Sequence, residues 1–79
     1  MVKFILVSTV DNIATYEYYP EDDRDKECGI ITLDIISGET TLIKRAETGF
    51  MNYAGHAMDR IEEYFKKGEV PESGMAMWY

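Results

Sequence analysis

From Lys3 to Val10 the chain reads KFILVSTV, dominated by β-branched and aromatic residues, and this favours a strand. Asp11 and Asn12 follow, two residue types that accept positive φ, and IATYEYY over 13–19 resumes the strand pattern. The two runs predict a hairpin closed by a two-residue turn. Strand alternation puts Ala14, Tyr16 and Tyr18 on one face and Ile13, Thr15, Glu17 and Tyr19 on the other. Residues 20–27, PEDDRDKE, carry Pro20 and seven charged side chains with no apolar period, so they read as a solvated loop. CGIITLDII over 28–36 predicts a third strand, apolar on both faces through Ile30, Ile31, Leu33, Ile35 and Ile36 and therefore interior to a sheet. SGE then turns the chain, and TTLIKRA over 40–46 returns as the fourth strand.

At Phe50 the period changes. Apolar residues fall at Phe50, Tyr53, Ala54, Ala57, Met58, Ile61, Tyr64 and Phe65, spacings of three and four that place one buried stripe on a helix. Thr48 is the expected N-cap. Lys66 and Lys67 suit the negative end of the helix dipole, Gly68 a left-handed C-cap, and Pro71 prevents continuation. On the polar face Glu62 with Lys66 and Glu63 with Lys67 stand four apart in the favourable order. His56 lies opposite the stripe among Asn52, Asp59, Arg60 and Glu63 and is expected at the surface. Gly55, inside the helix, costs about 1 kcal/mol relative to Ala and reads as a tolerated weakness rather than a close approach.

These elements predict one domain over 1–79 of α+β class: a four-stranded antiparallel meander with a C-terminal amphipathic helix across one face. The ending SGMAMWY leaves room for a short fifth strand. If the meander runs up and down and the helix returns, the tail lies antiparallel beside strand one or parallel beside strand four, shielding an edge. One helix covers one face, yet Phe4 and Leu6 oppose Ile5 and Val7, and Ile31 and Leu33 oppose Ile30 and Ile36. A second apolar face therefore asks for a cover: the tail, a second copy, or another partner.

Composition narrows the function classes. A chain of 79 residues buries about 60% of its unfolded surface, and ten aromatic residues supply stability that small size withholds. A net charge of −7 argues against direct nucleic-acid binding and against an anionic membrane surface. Cys28 is the only cysteine, so neither an internal disulfide nor a cysteine cage for zinc forms. MVKFILVSTVDN has too short an apolar run for a spanning helix and no small-residue cleavage site, which points to the reduced cytoplasm.

Candidate chemistry is sparse. Asp23, Asp25 and Glu27 alternate like the first ligands of a calcium loop, but Cys28 occupies the position that needs Gly and Asp34 would be the twelfth residue, inside a strand. Cys28 follows Glu27, whose charge opposes thiolate formation. No nucleophile elbow, phosphate-binding lysine loop or dinucleotide fingerprint occurs. The sequence thus names no catalytic, cofactor-binding or metal residue and needs no cofactor. The expected role is a non-enzymatic protein-interaction module that forms a homodimer or binds another protein. Its candidate interface is Met75, Met77, Trp78 and Tyr79 with Tyr16 and Tyr18. Two alternatives remain: an acidic mimic of nucleic acid that blocks a basic protein, and a small-molecule binder with a tyrosine-lined hollow between sheet and helix.

Overall fold

The computed structural model describes residues 1–47 and 52–78. Strands β1 (Val2–Val10), β2 (Ile13–Pro20), β3 (Gly29–Asp34) and β4 (Thr40–Lys44) precede helix α1 (Asn52–Lys66), and β5 (Ser73–Ala76) follows it. The five strands form one sheet in the order β4-β3-β2-β1-β5, with every neighbouring pair antiparallel. This is the expected α+β meander with its short fifth strand, and β5 takes the place beside β1.

Local chemistry explains the turns. Asp11 and Asn12 adopt φ of 52° and 66°, the mirror-image turn whose twist matches the flanking strands. Between β2 and β3 the charged loop is tied by its own side chains. Arg24 pairs with Asp22 at 2.8 Å, and the Asp25 N–H donates to Asp23 Oδ1 at 3.0 Å. The third strand stops at Asp34, two residues short of the expected end. The Asp34 carboxylate accepts the N–H groups of Ile36 and Ser37, which turns the backbone there and holds the carboxyl below its ordinary range. Ile36 consequently lies in the turn, 74% exposed, and does not belong to a sheet face. The fourth strand ends at Lys44 rather than Ala46, because the Ala46 N–H is taken by Tyr18 Oη at 2.9 Å.

Helix α1 ends as predicted. Gly68 has φ of 84°, its N–H reaches the Phe65 carbonyl, and the Glu69 N–H reaches the Tyr64 carbonyl, the paired bonds of a left-handed C-cap. Thr48 and Phe50 lie outside the described residues. The pairing expected on the polar face is replaced: Glu62 accepts the Thr40 hydroxyl, and Glu63 pairs with Arg60 at 3.3 Å.

The core lies between the sheet and α1. Val2, Phe4, Ala14, Tyr16, Tyr18, Ile31 and Leu33 rise from the sheet to meet Ala54, Ala57 and Ile61. The two alanines bring the helix backbone close, and Phe4 stands edge-on to Tyr16 with centroids 5.8 Å apart. Large rings fit because glycine lies opposite them. Phe4 pairs with Gly74 and Tyr18 with Gly29 across neighbouring strands, and each ring covers its glycine. The Tyr16 hydroxyl donates to the Pro71 carbonyl at 2.6 Å, fixing the approach to β5. Burial pushes that phenol up to about 12. Among the described residues no buried side-chain nitrogen or oxygen lacks a partner.

Candidate association surface

The sheet's second face is built by alternation and two irregularities. The pairings of β1, β2 and β3 place Lys3, Ile5, Ile13, Thr15, Glu17, Tyr19, Ile30, Thr32 and Asp34 opposite the helix side. Alternation already turns Val7 and Ile43 outward; a bulge between Leu6 and Ser8 shifts the phase so that Val10 joins them, and a second opposite Ile30 does the same for Lys44. On this face Val7, Val10, Ile13 and Ile43 are 49%, 63%, 37% and 60% exposed, and the charged loop reaches it at Tyr19 and Lys44. The charged residues of the strands on this side are Lys3 and Lys44 against Glu17 and Asp34, so the face is neutral in a chain of net charge −7.

The polar groups here are partly occupied. The Tyr19 hydroxyl donates to Glu17 at 2.7 Å while the Arg24 guanidinium sits over its ring at 4.5 Å. The hydrogen bond to Glu17, followed by partial burial, pushes the Tyr19 phenol up to about 12. Lys44 pairs with Glu27 from the charged loop, which raises the lysine above its ordinary value. What remains open is β-branched and apolar.

The residues expected at an interface divide. Met75 pairs with Lys3 and so belongs to the open face, and Met77 is 62% exposed at the end of β5. Trp78 instead folds back onto the helix. It stacks on His56 with centroids 3.9 Å apart and stands edge-on to Tyr53 at 5.3 Å. His56, expected at the surface, is therefore half-buried. Tyr16 and Tyr18 are core residues whose hydroxyls serve Pro71 and Ala46, so this fold does not offer them to a partner. Tyr79 lies outside the described residues. The alternation of β1 and β3 signalled the apolar second face, Val7 included; the bulge that brings Val10 onto it carries no local sequence mark.

A second feature runs along β5. A cleft of about 480 Å³ lies between that strand and α1, lined by His56, Asp59, Arg60, Glu63, Met75, Ala76 and Met77. Arg60 is engaged on both sides, with Glu63 at 3.3 Å and the Tyr64 ring at 4.8 Å. Among the described residues no group of three His, Cys, Asp or Glu side chains converges to hold a metal ion. None of the described helices is long and apolar enough to cross a membrane. No protein family, curated protein or solved structure matches the chain, so the functional reading stands on geometry and charge.

Proposed function

We propose that this protein is a non-catalytic association module whose partner is a second copy of itself, joined through the open sheet face. The observation that supports it is the row Val7, Val10, Ile13 and Ile43, exposed beside half-buried Ile5 and Ile30, while the helix occupies the other side. Two such faces stack about 10 Å apart and bury their apolar side chains between them, as in a β-sandwich. Charge selects the face: two copies of net charge −7 repel, and this neutral surface lets them meet without juxtaposing acids. A cytoplasmic location belongs to the same reading, supported by the single cysteine.

Sedimentation equilibrium tests it. The unmodified chain is expected to change from monomer mass to dimer mass as concentration rises through the micromolar range. Ile43→Lys, at an exposed position on edge strand β4, is expected to hold the mass at monomer while stability changes by less than about 0.5 kcal/mol. A wild-type chain that stays monomeric to hundreds of micromolar rejects the proposal.

A further inference from the structure

β5 is the edge strand of the sheet, and among the described residues no further backbone bond is made by Ser73 or Met75. The Leu6 N–H donates to the Glu72 carbonyl at 2.8 Å, which continues the β1–β5 register by one pair. Hydrogen-bonded pairs alternate along an antiparallel ladder, so Glu72, Gly74 and Ala76 turn their backbone groups toward β1. Ser73 and Met75 turn theirs the other way, and β5 is the last strand of the sheet. Those donors and acceptors open beside the cleft walled by His56, Asp59, Arg60 and Glu63 of α1. An edge strand with a helix standing alongside is the geometry that receives an extended peptide by strand addition. The volume of about 480 Å³ falls in the range of about 300–1,000 Å³ typical of ligand-sized clefts.

Charge chooses the occupant. The Arg60 guanidinium is already held by Glu63 and the Tyr64 ring, which leaves the Asp59 carboxylate, exposed on the same wall, as the group open to a new ion pair. A second copy fits this edge poorly. Two β5 edges meeting about a two-fold axis would bring Asp59 and Glu63 of both helices together. Pairing β5 with the β4 edge of another copy is head-to-tail and would build rings or open chains rather than a two-fold dimer. We infer that the groove between β5 and α1 binds an extended peptide segment of another protein, one that sets a lysine or arginine against Asp59. Met75 belongs to both surfaces, but the site uses neither Ile13 nor Ile43, so its test is kept apart from that of self-association.

The test uses the full chain, isotope-labelled for amide NMR, with three probe peptides: acetyl-KVKVKVK-amide, its fully N-methylated counterpart, and acetyl-EVEVEVE-amide. The lysine peptide is expected to move the amide resonances of Ser73 and Met75 together with those of His56 to Glu63. It is expected to bind at least tenfold more tightly than the N-methylated peptide, which keeps the charge and loses the strand donors. The glutamate peptide is expected to move nothing at that edge. Asp59→Asn is expected to weaken the lysine peptide several-fold. Met75→Pro, which removes an outward donor without touching the β1 ladder, is expected to abolish its binding. Equal binding of the lysine peptide and its N-methylated form overturns the inference, as do shifts centred on residues 20–27, which mark charge attraction alone. An edge already occupied by a second copy, seen as Ser73 and Met75 resonances that move on dilution without peptide, overturns it too. Repeating the titration on Ile43→Lys separates the two sites: the peptide shifts are expected to persist whether or not the face dimer forms.

Discussion

A methyl group added at Gly55 would meet no atom within 4 Å, whereas at Gly74 it would fall 2.5 Å from Phe4 Cζ. Gly55 is exposed on α1, so its only effect is the entropy it leaves in the unfolded chain. Gly55→Ala is therefore expected to raise stability by about 0.5–1 kcal/mol. Gly74→Ala must displace a fully buried ring and is expected to lower stability by about 1–3 kcal/mol. Urea midpoints at constant slope measure both, and a destabilised Gly55 variant would mean that the helix meets something at that position. The sequence legibly marked Gly55 as a weakness because helix propensity is local. It left Gly74 unmarked, since its need for hydrogen depends on lying opposite Phe4, a register fixed only when the tail returns to β1. His56 departs from its expected place at the surface for the same non-local reason. Its helical phase is polar, but Trp78 comes back from beyond β5 to cover it.

At the scale of elements, the hairpin, the helix and its cap were readable because each is specified within a few residues: Asp11 and Asn12 for the turn, Gly68 for the cap, the three-and-four spacing for α1. The attachment of β5 is of another kind. It rests on the ladder to β1, on Trp78 against the helix, and on the Tyr16 hydroxyl donating to the Pro71 carbonyl. Tyr16→Phe deletes that bond and leaves the carbonyl without this donor, an expected loss of about 1 kcal/mol. The phenol also sets a pH limit. Its value is raised on folding from 10.0 to about 12, so the stabilisation is complete below about pH 10 and is lost as pH climbs toward 12. Thermal melts across that window are expected to fall more steeply for the wild-type chain than for Tyr16→Phe. Tyr19, raised to about 12 chiefly by its bond to Glu17, titrates in the same window, but lies nearer solvent and contributes less. Equal slopes for the two proteins would show that the Tyr16–Pro71 contact does not govern the alkaline limit. Trp78→Ala is expected to cost about 1–3 kcal/mol, below the full large-to-small penalty because the indole is half-buried. Its emission in the intact chain is expected to be shifted from that of free indole in water.

On the scale of the whole molecule, fifteen acidic side chains against eight basic ones give a surface whose sign is set by the loop over 20–27, with five acids against two bases, and by acids spread over the strands and turns. On α1 and just past its end, Asp59, Glu62 and Glu63 are balanced by Arg60, Lys66 and Lys67. Several of those acids are already engaged: Glu21 by the Met1 ammonium and then the Tyr53 hydroxyl, Asp22 by Arg24, Glu27 by Lys44, Glu63 by Arg60. A mimic of nucleic acid needs its carboxylates free and arrayed, and its binding to a basic protein weakens steeply as salt rises. Association through the neutral sheet face has the opposite signature. Added salt screens the mutual repulsion of two chains of charge −7 and leaves the apolar contact intact. The dimer dissociation constant is therefore expected to stay level or fall between about 50 mM and 500 mM sodium chloride, a span over which the Debye length shrinks from more than 10 Å to under 5 Å. A constant that rises tenfold over the same span would mean that opposite charges hold the copies together. The contact would then have to be sought along the acidic loop and Lys66 and Lys67, away from Ile13 and Ile43.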